Sequence, residues 1–178
     1  GCRWSHARYK INKNYNFVIV MSNILTGFQS FDSLTGGLST RKNYLVLGDK
    51  ESGKDQFLYS LAANALKGNA AVLYISISKS AEEVVSSITK SFPGVSSSLG
   101  SSFKLIDDFS RNIMAQTSDT PYIKVLNGPL DLTGLSVAMS TINSDFVKDG
   151  YTVINIMDSV SALLLYNNNA TLFRFLQF

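Results

Sequence analysis

Residues Gly48-Asp49-Lys50-Glu51-Ser52-Gly53-Lys54-Asp55 carry the spacing G-x-x-x-x-G-K. Two glycines at this interval allow a turn tight enough for successive backbone N–H groups to converge on an anion. The lysine after the second glycine adds an ammonium at the same place. The chemistry implied is recognition of phosphate groups. When such a loop handles a metal-bound nucleotide, the residue after the lysine is Ser or Thr, whose hydroxyl holds Mg²⁺. Here that residue is the carboxylate Asp55. The loop is also acidic, with Asp49, Glu51 and Asp55 against Lys50 and Lys54, a net charge of −1 where a polyanion should dock. Two like charges 4 Å apart oppose each other by on the order of 4 kcal/mol at an effective dielectric near 20, and by less where solvent reaches them.

The flanking sequence supplies the elements the loop needs. Asn43-Tyr44-Leu45-Val46-Leu47 is β-prone and predicts a buried strand that feeds the loop. After it, Phe57, Leu58, Leu61, Ala62 and Ala65 line one face of a helix that Gly68 should end. Ala70–Ile77 predicts a second buried strand, and Ser80-Ala81-Glu82-Glu83 a capping box opening a helix that Pro93-Gly94 terminates. Phe103–Asp107 reads as a third strand, Ile123–Leu126 as a short one, and 131–147 as mostly helical. Tyr151–Met157 is then a strand ending at Asp158, with Asn155 an unexpected amide in its middle. A helix begins at Ala170. Strands alternating with helices imply βαβ units and a parallel sheet covered on both faces.

Composition places these elements in one domain of a 178-residue chain with an ordinary apolar content. The net charge of +3 is uneven. Residues 1–20 hold Arg3, Arg8, Lys10 and Lys13 and no acid, which leaves 12 basic and 13 acidic residues, a charge of −1, for the rest. A basic surface for nucleic acid is therefore not supported. No apolar run is long enough to span a bilayer. The single Cys, Trp and His (Cys2, Trp4 and His6) all lie in the leader. Residues 1–20 read as extraneous or disordered, with Met21 as the natural start and 21–178 as the domain. The absence of cysteine after the leader fits a cytoplasmic protein.

With these pieces in place the chain resembles the KaiC branch of the RecA-like ATPases, in the archaeal-type style. The resemblance spans about residues 24–178. It is carried by the opening Leu25-Thr26-Gly27-Phe28-Gln29-Ser30-Phe31-Asp32-Ser33-Leu34-Thr35-Gly36-Gly37-Leu38, the loop at the expected distance, the strand Tyr74-Ile75-Ser76-Ile77, and Asp158-Ser159-Val160-Ser161-Ala162-Leu163-Leu164-Leu165-Tyr166. It implies an α/β, RecA-like P-loop fold in three layers with a mostly parallel central sheet whose last strands are missing. It also implies a site in which Gly48, Asp49, Lys50, Glu51, Ser52, Gly53, Lys54 and Asp55 bind ATP or ADP. Asp158 stands as the Walker-B carboxylate that orients Mg²⁺. Nucleotides held between subunits of related proteins imply a homo- or hetero-oligomer.

Two departures bear on activity. Asp55 replaces the metal-binding hydroxyl. Where active members carry a Glu-Glu pair that activates water, this chain has Ser78 and Lys79, neither of which is a base near neutral pH. No catalytic residue is therefore assigned. The first expectation is a regulatory or assembly domain that binds nucleotide and hydrolyses little, a pseudo-ATPase in a signalling setting. An active ATPase with Asp55 on the metal, or a base from a neighbouring subunit, is the second. An interaction module without nucleotide is the third. Simpler readings accompany individual residues. Asp55 is an acid favoured by the helix dipole, Lys79 a surface residue beside the lost pair with phosphate contact as the alternative, and Asp107-Asp108 a solvated strand end rather than a metal pair.

Overall fold

A computed structural model describes residues 23–49, 51–113 and 118–177. The expectations for residues 1–20 and for Lys50 fall outside them. Four strands, β1 (Ala70–Ser76), β2 (Phe103–Asp107), β3 (Ile123–Val125) and β4 (Thr152–Asp158), form an all-parallel sheet in the order β3-β2-β1-β4. All seven residues of β1 are buried, as expected of a central parallel strand covered on both faces.

Alternation along β1 assigns the two covering layers. Val72 and Tyr74 face α2 (Lys54–Lys67) and α3 (Ala81–Ser91), packing with Leu61, Ala62, Val84, Ile88, Phe103 and Leu105. Ala71, Leu73 and Ile75 face α4 (Leu132–Lys148), α5 (Val160–Tyr166) and α6 (Asn169–Leu176), packing with Leu135, Phe146, Leu163 and Leu172. This three-layer α/β architecture is the expected RecA-like one. Each fully buried Leu, Ile or Phe contributes about 1.5–3 kcal/mol, so β1 is the strand the fold can least spare.

Local signals place the boundaries. Ser80 caps α3 by accepting a hydrogen bond from the Glu83 amide at 3.1 Å, and Asp131 caps α4 by accepting from the Gly134 amide at 2.8 Å. Gly68 closes α2, its amide donating to the Ala65 and Asn64 carbonyls. The opening segment folds around Asp32 in α1 (Gln29–Thr35). Its carboxylate accepts from the Thr26 amide and hydroxyl and from the Gly27 amide, each at 2.9 Å. Burial opposes ionisation of Asp32, but these donors prevail and hold its carboxyl below the usual range. Ser60 Oγ then ties this turn to α2 by donating to the Thr26 carbonyl at 2.8 Å.

Three expectations fail. Asn43–Leu47 is not a strand and not buried: Leu45 is 72% and Leu47 82% exposed, and the run pairs with none of the four strands. A β-prone run becomes a strand only where a ladder partner meets it. Here the Tyr44 hydroxyl is engaged locally instead, accepting from the Ser39 amide at 2.8 Å. Asn155 is exposed, because β4 is the edge of the sheet and its amide needs no buried partner. Asp107 and Asp108 are both fully buried, not solvated. Asp107 is satisfied by the Ala81, Phe109 and Ser110 amides and the Ser110 hydroxyl, at 2.7–3.0 Å. It thereby fastens the start of α3 to the end of β2.

Candidate functional site

The loop runs from Gly48 through a turn in which the Ser52 amide donates to the Asp49 carbonyl at 3.1 Å and Ser52 Oγ to the same oxygen at 2.7 Å. A side chain at Gly48 would collide with Ser52 Oγ, so the two ends of the turn close on each other only because residue 48 has no Cβ. Gly53 then takes a left-handed conformation, φ 81°, and α2 begins at Lys54. No side chain caps α2. The first amides of a helix have no intrahelical acceptor, and its dipole places partial positive charge there, so Lys54, Asp55 and Gln56 open an anion-seeking terminus. Asp49, Glu51, Ser52 and Gly53 are exposed around it and Lys54 is half-buried.

Asp158 reaches the same place from the sheet. In the parallel register it lies opposite Ser76, and the Ile77 amide donates to its carbonyl at 2.7 Å, so the ends of β1 and β4 are level. The peptide joining Asp158 to Ser159 is cis. Beyond β1 the chain turns over Ser76, whose hydroxyl donates to the Lys79 carbonyl at 2.6 Å. That turn aims the Lys79 side chain back across the strand ends.

The result is a charge cluster that joins residues from three elements. The Lys79 ammonium lies 2.7 Å from Asp55 Oδ2 and 3.1 Å from Asp158 Oδ2. Its side chain is only 15% exposed, and that of Asp158 10%, whereas Asp55 is 55% exposed on the solvent side. Tyr74 donates its hydroxyl to Asp158 Oδ2 at 3.0 Å. The Tyr59 ring lies against Tyr74 and beneath the ammonium, 5.9 Å from its centroid to Nζ. Burial disfavours the charged form of Lys79, but the hydrogen bond to Asp55 and the charge of Asp158 outweigh it, so the ammonium is held above the ordinary lysine range. Burial first, and the neighbouring Asp158 second, push the Tyr74 hydroxyl up, so it stays a donor.

Asp158, expected at the metal, and Asp55, which stands at the position of the metal-binding hydroxyl, are thus brought together, but around an ammonium. Lys79 is not the surface residue that sequence suggested. Sequence reasoning gave neither Tyr59 nor Tyr74 a role in the site: Tyr59 lies off the apolar helix face it named, and Tyr74 entered only as part of the strand Tyr74-Ile75-Ser76-Ile77. The residues do not fit Mg²⁺. The metal-binding hydroxyl is absent, and the point both carboxylates address is taken by a cation supplied by the chain itself. Among the described residues, no three His, Cys, Asp or Glu side chains assemble into a metal-holding group. No described helix is long and apolar enough to cross a membrane.

A search of curated proteins returned no match. The family model for the KaiC ATPase matches residues 24–177, which takes in the opening turn around Asp32, the loop, all four strands and the Asp158 strand end. With the parallel sheet and the loop-to-helix junction at Lys54, this shows that the chain belongs to the KaiC ATPase family.

Proposed function

We propose that this domain binds ATP or ADP at the loop Gly48–Asp55 and hydrolyses it little or not at all, serving as a regulatory or assembly member among RecA-like subunits. The observation that carries the reading is the uncapped start of α2 directly after a left-handed Gly53, in a KaiC ATPase domain. Backbone amides of residues 49–54 and the Lys54 ammonium would hold the phosphates. That arrangement needs no side chain other than Lys54, so it tolerates the loss of the hydroxyl at residue 55.

The neighbours of that site support the reading of little turnover. Hydrolysis needs a base to orient and deprotonate water. The positions after β1 hold Ser78, which is exposed and not basic, and Lys79, which is protonated and engaged with Asp55 and Asp158. An assembly role is supported by apolar side chains left in solvent, Leu45, Leu47, Leu165 and Phe173 among them.

Calorimetric titration with ATP and ADP, beside a phosphate-release assay, tests the reading. Binding that Lys54→Ala weakens, with no phosphate release above the Lys54→Ala background, is expected. Robust release abolished by Lys54→Ala would establish an active ATPase instead. No heat and no thermal shift at millimolar nucleotide would leave an interaction module.

A further inference from the structure

We propose that the Lys79 ammonium is a built-in substitute for the divalent cation, so that this domain takes its nucleoside polyphosphate as the metal-free anion. The ligand assignment rests on the nucleotide reading above; the exclusion of the metal stands on the cluster alone.

Three observations combine. The two carboxylates that a metal would have to address, Asp55 on the loop side and Asp158 on the sheet side, both lie against one nitrogen, at 2.7 and 3.1 Å. That nitrogen is fixed from behind, because Ser76 holds the Lys79 carbonyl at 2.6 Å and the Tyr59 ring lies below the ammonium. Tyr74 occupies the remaining side of the Asp158 oxygen that Lys79 uses, at 3.0 Å. A divalent ion entering here would have to displace an ammonium already paired twice, and would meet its positive charge at contact distance.

The ammonium can also do part of what the metal would do. It has three N–H donors. Asp55 and Asp158 pair with it, and because Asp55 is 55% exposed on the solvent side, a phosphate oxygen arriving at the start of α2 can compete with that partner for a donor. It neutralises Asp55 at the mouth of the loop and so removes the like-charge repulsion between that carboxylate and an incoming phosphate. It cannot polarise a leaving phosphoryl group through two oxygens of one octahedral shell or hold ordered waters as Mg²⁺ does. Binding without turnover is the combination this chemistry yields.

The test has two arms. In the first, a fluorescent adenine nucleotide is titrated into the whole chain in excess EDTA and again in millimolar Mg²⁺. The expected affinities agree within about twofold. Lys79→Met should weaken metal-free binding about tenfold and recover part of the loss in Mg²⁺. Wild-type binding that needs Mg²⁺, by about tenfold or more, overturns the proposal. In the second arm nucleotide is omitted. Mn²⁺ is added to the wild-type and Lys79→Met proteins, with the free ion read by its paramagnetic resonance signal and the melting temperature in parallel. The wild type should leave Mn²⁺ free and its melting point unmoved, while the variant, with Asp55 and Asp158 now facing each other, should bind the ion and be stabilised by it. Mn²⁺ bound by the wild type as tightly as by the variant overturns the proposal. If nucleotide fails to bind in either buffer, the nucleotide reading falls together with the ligand half of the proposal, and the Mn²⁺ arm still decides whether Lys79 excludes the metal.

Discussion

Lys79 Nζ and Asp55 Oδ2 are 2.7 Å apart although they come from a turn after β1 and from the first turn of α2, 24 residues earlier. The pair joins in one contact the two positions at which the sequence departs from the pattern the resemblance implies. An acid at the position of the metal-binding hydroxyl is a liability beside phosphate, and a protonated lysine where the resemblance places a glutamate cannot act as a base. Placed against each other they compensate. The restoring substitution Asp55→Thr should therefore do little alone, because Lys79 keeps Asp158 as a partner at 3.1 Å and stays on the metal position. Asp55→Thr with Lys79→Ala should gain Mg²⁺-dependent nucleotide affinity of about tenfold over the single variant, measured by calorimetry with and without Mg²⁺. Equal gains from the single and double variants would show that the lysine does not guard the site.

Tyr74→Phe isolates the support beneath the cluster. The ring remains in the core between α2 and the sheet, but Asp158 Oδ2 loses its donor at 3.0 Å. Asp158 still has Lys79, so the loss should be about 1–2 kcal/mol, seen as an earlier urea midpoint with an unchanged denaturant slope. A neutral result would mean that water replaces the phenol without cost.

The buried acids at the end of β2 divide into two kinds. Asp108 is fully buried, and neither carboxylate oxygen has a hydrogen-bond partner. Burial pushes its carboxyl up to about 7 from 3.8, with Asp131 and Asp107 adding to it and the nearby Gly128 amide offsetting it in part. A folded-state value above the unfolded one means that the folded protein holds a proton the unfolded chain has released. The stabilisation is complete below about 4 and is lost as pH rises through about 7, at up to about 1.4 kcal/mol per pH unit. Asp108→Asn should flatten this dependence, so that the variant exceeds the wild type in stability at pH 8 and loses that advantage at pH 5. Parallel curves for the two proteins would refute the assignment.

Asp107, by contrast, already has four donors. Asp107→Ala should cost about 3 kcal/mol or more, since three amides and a hydroxyl lose their acceptor together and α3 loses its anchor to β2. Chemical denaturation measures this. A cost below about 1 kcal/mol would indicate that the donors find other partners.

The sequence was most legible where one local pattern decides the structure. The apolar run of β1, the Ser80 cap and the Gly68 stop needed nothing beyond their neighbours in the chain, and α3 and α2 lie where those signals put them. The loop was also visible, because its spacing has a chemical meaning, and Asp158 because it ends a strand that resembles the family's Walker-B strand. What remained hidden was set by contacts between distant segments. The β-propensity of Asn43–Leu47 cannot say whether a ladder partner meets it. The letters Asp107-Asp108 do not say that one carboxylate meets four donors and the next none. Lys79 sits in a Ser-Lys-Ser turn that looks like ordinary surface, and only the level ends of β1 and β4 turn it inward to Asp158.

The opening turn offers a prediction in which two causes can be separated. Gly27 has a positive φ of 85°, and a Cβ there would strike Asn64 Nδ2 and Ser60 Oγ on α2. The Gly27 amide also donates to Asp32 at 2.9 Å, so the turn cannot rotate away without breaking the bonds that fold residues 26–32. Gly27→Ala should cost about 2 kcal/mol or more through conformational strain and collision together. Asn64→Ala should relieve the collision with the amide but not the backbone strain. The double variant should therefore recover only part of the loss, with a coupling of about 0.5–1 kcal/mol in a double-mutant cycle. Full recovery would make the collision the whole effect. No recovery would place the cost in the backbone conformation and in Ser60, which holds the Thr26 carbonyl at 2.8 Å and has no room to yield.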